Sequence, residues 1–228
     1  MQQIPLSARL RCCAGFVPPG SRVADIGTDH GYLGLWLLEQ GIATSVIASD
    51  IAPGPLSAAK ANAEKYGYAD RMELCLSDGA RDIPRDFDTL VCAGMGGDTM
   101  VHILSDAPWL RSSRYRLVLQ CQSKAPLLRR FLSLQGWCVE EETCLREGRH
   151  LYTVMRVSFC PDRAETCPGQ WYFPQALLRD CTPAAGEYYR FVLRGLETAA
   201  AHRPDGEVLE ALRQVRALGS QYSFLKEE

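Results

Sequence analysis

The sequence predicts an α/β fold in which a mostly parallel sheet is wound on both faces by helices and closed by a terminal antiparallel hairpin. A small α-helical C-terminal domain follows. Three observations predict this. Short apolar strands alternate with helical stretches up to Gln135, which is the signature of a parallel sheet with crossover helices. The turns after these strands carry glycine and carboxylates. Two β-rich stretches joined by a tight turn then precede a proline-punctuated segment of helical periodicity.

In chain order, Leu6 to Ala14 places apolar residues at helical spacing around Arg9 and Arg11, and Pro18-Pro19-Gly20 stops it. Arg22 to Ile26 is an apolar strand running into Gly27, and Tyr32 to Gln40 is a helix closed by Gly41. Ser45 to Asp50 repeats the strand, Pro53 to Pro55 reads as a turn, and Leu56 to Tyr66 as the helix after it. Strands follow at Met72 to Leu76, Thr89 to Ala93 and Tyr115 to Cys121, with helices around Thr99 to Leu104 and Leu127 to Gln135. Trp137 to Arg146 and His150 to Phe159, joined by Glu147-Gly148-Arg149, form the hairpin. A polar link at Cys160 to Pro168 leads to two or three helices, among them Glu187 to Ala201 and Glu207 to Leu218, which are simplest as an antiparallel pair. The expected division is 1–159 for the α/β domain and 160–228 for the helical one.

The 228 residues suffice for one domain with a full core and an appendage. Hydrophobic residues at 46% and charged residues at 23% exclude disordered and fibrous classes. No apolar run approaches the roughly 20 residues that cross a bilayer, and Met1-Gln2-Gln3-Ile4-Pro5 lacks a secretory pattern, so a cytoplasmic protein is expected. The 10 cysteines are scattered without any CxxC, which favours reduced thiols, and the four distant histidines make a metal site unexpected. With 25 Lys plus Arg against 27 Asp plus Glu, composition announces no nucleic-acid binder.

The chemistry concentrates in the turns. Asp25-Ile26-Gly27-Thr28-Asp29-His30-Gly31-Tyr32 departs from the GxGxxG of pyrophosphate binders, because Asp29 sets a carboxylate where it would repel phosphate. A ligand with positive charge, such as the sulfonium and ammonium of S-adenosyl-L-methionine, suits the loop better than NAD. Asp50 follows Asp25 by 25 positions, near the offset at which an acid takes ribose hydroxyls. Ser77-Asp78-Gly79-Ala80 ends the third strand, where a carboxylate can accept protons of an adenine amino group. Ala93-Gly94-Met95-Gly96-Gly97 holds three glycines in five residues, which predicts close backbone approach to a ligand or base.

Leu6-Ser7-Ala8-Arg9-Leu10, the loop from Asp25 to Leu33, Ala93 to Gly97 and Leu117-Val118-Leu119-Gln120 resemble the TrmK family, whose members have a class I Rossmann-like methyltransferase fold and methylate N1 of adenine(22) in bacterial tRNA. The likeness runs from about Leu6 to Phe159. It departs at Gln120-Cys121-Gln122, where the family has Gln-Pro-Asn, and at Gly31, where alanine is common. The resemblance implies that Asp25, Gly27, Asp29, Asp50, Asp78 and Gly79 hold S-adenosyl-L-methionine, flanked by Ile51, Ser77, Ala93, Gly94 and Met95. It further implies Asp29 and His30 as catalytic residues and Arg9, Gly96, Gly97 and Gln120 on the substrate side. The expected partner is tRNA, bound with help from a basic patch of Arg9, Arg11, Arg111, Arg114, Lys124, Arg129, Arg130 and Arg149, by a monomer or weak dimer. Two rivals stay open: a methyltransferase acting on a small molecule or protein, with the tail as a lid, and a catalytically silent RNA-binding module.

Overall fold

A computed structural model of the chain describes residues 3–163 and 167–222. The link expected at Cys160 to Pro168 therefore lies partly outside the described residues, as does the end of the expected helical domain at 223–228.

The chain enters through α1 (Ala8–Gly15), capped by the Ser7 hydroxyl, which accepts the Leu10 amide proton. It then alternates β1 (Ser21–Ile26), α2 (Tyr32–Glu39), β2 (Ala43–Asp50), α3 (Pro53–Tyr66), β3 (Met72–Leu76), β4 (Thr89–Gly96), α4 (Gly97–Asp106), β5 (Arg116–Ser123) and α5 (Ala125–Leu134). The hairpin β6 (Trp137–Glu147) and β7 (His150–Phe159) follows. The seven strands lie in the order β3-β2-β1-β4-β5-β7-β6. The first five run parallel, and β7 is antiparallel to both β5 and β6.

This order follows from burial. Val23, Ala24 and Ile26 of β1, Leu90 to Cys92 of β4 and Leu117 to Leu119 of β5 are buried, because helices cover both sheet faces. One core joins α4 and α5 to the sheet through Met100, Ile103, Leu104, Leu128 and Leu132, around Phe87. The opposite core joins α1, α2 and α3 through Cys13, Leu33, Leu35, Leu37 and Ala63. Between β1 and β4 the chain reverses its direction of travel across the sheet, and at such a switch point a crevice opens beyond the strand ends.

Three boundaries differ from expectation. The expected turn at Pro53 to Pro55 is the first turn of α3, where proline's fixed φ and missing N–H are tolerated. β4 continues through Gly94 to Gly96, past the expected end at Ala93. The C-terminal region holds four helices among the described residues: α6 (Pro168–Tyr172), α7 (Gln175–Asp180), α8 (Pro183–His202) and α9 (Gly206–Gln221). They enclose a third core of Phe173, Leu177, Tyr188, Tyr189, Val192, Leu196, Ala211 and Val215, into which Cys144 of β6 also packs.

The same junction corrects the expected basic patch. Arg129 is only 3% exposed and forms a two-pronged ion pair with the equally buried Glu142 of β6. Its remaining N–H groups donate to the Trp171 and Tyr172 carbonyls, at 3.0 and 3.3 Å, and to the Tyr188 hydroxyl. Arg129 thus welds α5 and β6 to α6 and α8 and is unavailable to RNA. Arg114 and Arg130 pair with Asp86 and Glu207 on the surface.

Candidate active site

A cavity of about 240 Å³ opens at the switch point, walled by the β1–α2 loop, the end of β4, and α1. The loop gets its shape from its backbone. The Gly27 and Thr28 amides both donate to the Ser49 carbonyl of β2, at 2.8 and 2.9 Å, which folds the chain tightly off the strand end. Gly27 and Asp29 both lie in the left-handed region, at φ +70° and +54°. For Asp29, which carries a Cβ, this conformation is uphill, and such strain persists where the surroundings impose it. Here Asp50 is part of what imposes it: its Oδ2 accepts the Asp29 amide at 3.3 Å while its Oδ1 accepts the Ala52 amide at 3.0 Å, at the start of α3.

Asp25 sits at the base of the loop, 4% exposed, with the Thr28 hydroxyl donating to its Oδ2 at 2.8 Å. Burial pushes its carboxyl up to about 6 from the ordinary 3.8; the Thr28 hydrogen bond opposes this and the neighbouring Asp50 carboxylate adds to it. The cavity therefore has at its floor a buried carboxyl group whose neighbours supply a hydroxyl and a second carboxylate but no cation.

The opposite wall is built by a break in the sheet. The β4–β5 register shifts between Ala93 and Met95, and Gly94, at φ +84°, turns its amide away from the ladder to the Gln120 Oε1 at 3.0 Å. The same oxygen accepts Nη1 of Arg9, whose guanidinium also lies over the Tyr152 ring at 5.7 Å. A side chain at position 94 would meet Arg9 Nη1 at 3.3 Å, so glycine is what lets the arginine lie flat against the strand. Gln120 is wholly buried and reaches the cavity only through these two partners.

Of the residues expected in the site, Arg9, Asp25, Gly27, Asp29, His30, Ala93 and Gly94 line this one cavity. His30 stands 3.5 Å from an Asp29 oxygen, and its ring lies 5.9 Å from that of Tyr32. Asp50 borders the cavity through the Asp29 amide, and Ser77 is tied to Asp50 backbone to backbone at 3.0 Å. Ile51, beside Asp50, leaves 68% of its surface open. Met95 packs beneath Gly27. Asp78 pairs with Arg81 at 3.1 Å, and Gly79 packs against Ile103. Gly96 and Gly97 turn elsewhere: they lie against Ser123 and Lys124 of the β5–α5 junction. Sequence reasoning left Leu10, Thr28, Leu33 and Gln122 out of the site, and also Tyr32, whose ring could stack on a base but which sequence alone does not place. All five stand in the quoted segments, but such residues are so common in helices and turns that nothing local marks them.

The description Methyltransferase domain matches residues 6–155. The tRNA (adenine(22)-N(1))-methyltransferase of Bacillus subtilis is 33% identical over 156 residues, covering 68% of this chain and 66% of that one. The match spans between 60 and 66% of the length of the first curated relatives. Among solved structures, Streptococcus pneumoniae Sp1610 in complex with S-adenosyl-L-methionine superposes with a TM-score of 0.82 at 25% identity, covering 94% of this chain and 99% of that one. The M. capricolum TrmK complex with S-adenosyl-homocysteine shares the fold at a TM-score of 0.77 and 21% identity, covering 96% and 99%. The chain belongs to the methyltransferase domain family.

Proposed function

We propose that this protein transfers a methyl group from S-adenosyl-L-methionine to N1 of an adenine in tRNA, at position 22, in the cytoplasm. The observation that carries this reading is the buried Asp25 carboxylate on the floor of a cavity at the sheet's switch point, because it suits a cationic cofactor and would repel a pyrophosphate. The Bacillus subtilis relative and the whole-chain likeness to a cofactor-bound Streptococcus pneumoniae structure support the same cofactor and substrate.

The residues present fit that cofactor. Asp25 and the Gly27 loop would hold its charged end and Asp50 its ribose hydroxyls. Ile51 offers an apolar face, with Ser77, Asp78 and Gly79 beyond it and Ala93, Gly94 and Met95 opposite. When bound, S-adenosyl-L-methionine supplies an electrophilic methyl on a sulfonium that departs as a neutral thioether. Adenine N1 already carries a lone pair, so no side chain has to create the nucleophile, and alignment dominates. The ring becomes cationic on methylation, and Asp29 stabilises the charge that spreads to its amino group. His30 orients the base beside it. Arg9, fixed by Gln120 and Tyr152, offers its remaining N–H groups to the RNA; Gly96 and Gly97 act on the substrate side by setting the start of α4.

The test is transfer of labelled methyl to unmodified bacterial tRNA, followed by nucleoside mass spectrometry. 1-Methyladenosine at position 22 is the expected product, and Asp29→Ala should lower turnover while leaving the cofactor bound. Absence of incorporation by a chain that binds the cofactor overturns the tRNA reading.

A further inference from the structure

A second recess, of about 540 Å³, opens next to the cavity, between the β5–α5 junction, the β6–β7 turn and α8. The two meet at Gln122, which lines both. Leu151, Val192 and Leu196 make its floor apolar, and Phe191 projects from α8 with 62% of its surface open. Its ring centroid lies 6.4 Å from that of Tyr188, whose hydroxyl is in turn anchored by Arg129. Lys124 and Arg149 stand at the rim beside His150, and among the described residues no carboxylate lines the recess. Lys124 is paired with Asp98, outside the recess, but the Arg149 side chain has no partner among the described residues.

An open aromatic ring over an apolar floor, with an uncompensated guanidinium at the edge, matches one chemistry in particular. The ring takes the face of a nucleobase and the cation its phosphate. An apolar protein segment would leave Arg149 without a counter-charge. Adjacency to the cavity adds the position. When a target base is turned out of its stack, the neighbouring base loses its stacking partner.

Building on the tRNA reading above, we propose that this recess binds the nucleotide next to the methylated adenine, with its base stacked on Phe191 and its phosphate at Arg149. Phe191 is then a positioning residue for the proposed methyl transfer, contributed by the C-terminal helices to a site otherwise made by the strand ends, the β1–α2 loop and α1.

The experiment uses the full chain and an unmodified tRNA transcript. Stacking of one base on an aromatic residue is sequence-tolerant and strong, so Phe191→Ala should lower kcat/KM for tRNA about tenfold. Phe191→Trp should restore it, and S-adenosyl-L-methionine affinity measured calorimetrically without RNA should not change. Arg149→Gln should weaken tRNA binding and flatten its dependence on salt by about one charge. Unchanged kcat/KM in Phe191→Ala, or a loss that tryptophan does not restore, overturns the proposal while leaving the tRNA reading intact. So does a change in sedimentation of the protein alone in Phe191→Ala with normal kinetics, which assigns the recess to a second copy. A wild-type chain that binds cofactor but methylates no tRNA removes both.

Discussion

Replacing Asp25 by asparagine should make the protein more stable and less able to bind its cofactor. The carboxyl lies 4% exposed and its folded-state pKa is pushed up from 3.8 to about 6, mainly by burial. Because the folded value lies above the unfolded one, ionisation is easier in the unfolded chain. The penalty is absent below 3.8, grows between 3.8 and about 6, and is complete above that. A displacement of this size corresponds to about 3 kcal/mol. Asparagine cannot ionise, yet its Oδ1 can still accept the Thr28 hydroxyl proton, so the hydrogen bond survives. Asp25→Asn should therefore be more stable than wild type by about 3 kcal/mol at pH 8 and by little at pH 4. Urea unfolding of both proteins, free of cofactor, at the two pH values measures the difference. Addition of S-adenosyl-L-methionine should then stabilise the wild type far more than the variant, since only the wild type presents a carboxylate to a cation. A gap between variant and wild type that does not widen from pH 4 to pH 8 would refute the assignment of Asp25 as a buried, ionising group.

Removing the hydroxyl that opposes this burial, with Thr28→Val, should move the Asp25 titration midpoint above the wild-type value of about 6, as followed by carboxyl NMR; a lower midpoint contradicts the hydrogen bond's role. Glu142→Ala leaves the Arg129 charge buried and should destabilise the protein by about 3–5 kcal/mol, whereas the apolar pair Arg129→Met with Glu142→Leu should recover most of that. Equal urea midpoints for the single and double variants would sink the explanation. In Gly97→Ala the new Cβ would lie 2.6 Å from the Lys124 carbonyl oxygen, a contact neither backbone can relieve cheaply. A loss of about 1–3 kcal/mol in thermal denaturation is expected, and an unchanged Tm contradicts the close packing of α4 on the β5–α5 junction.

Much of the catalytic fold was legible because its strands are buried on both faces. Leu90 to Cys92 and Leu117 to Leu119 stand out as apolar runs that no amphipathic surface strand would show. The loop from Asp25 to Gly31 was legible for a different reason: carboxylates and glycines at a strand end are written in the local sequence. Pro53 misled, because a proline opening a helix and a proline in a turn share the same φ. α6 and α7 span five and six residues, too short to display a helical period, and their order comes from distant partners such as Gln214, whose side chain accepts the Gly169 amide at 2.7 Å. Nothing in a charge pattern tells that Arg129 is buried and Arg130 is not; the difference is made by Glu142 on another element. Gln120 carried a clue that was open to use, since an amide inside an apolar strand must find partners indoors, and it finds Arg9 and Gly94.

The wall of the cavity joins parts of the chain that are made far apart in time. Arg9 meets Gln120, 111 residues later, and its amide donates to Glu147 at the hairpin tip, 138 residues later. During synthesis, β1, β2 and the loop with Asp25 leave the ribosome first and can fold on one another. The first helix, however, lacks the Gln120 partner of Arg9 until β5 has emerged, and the Glu147 and Tyr152 contacts until the antiparallel hairpin has followed. Contacts of such long sequence separation form late, after the loop entropy between them has been overcome. A chain truncated before the hairpin should keep the strand-end carboxylates and the Gln120 partner of Arg9 but lose the Glu147 and Tyr152 contacts that hold Arg9 from its other side. The wall is thus completed by the last elements of the sheet, although none of their residues lines the cavity.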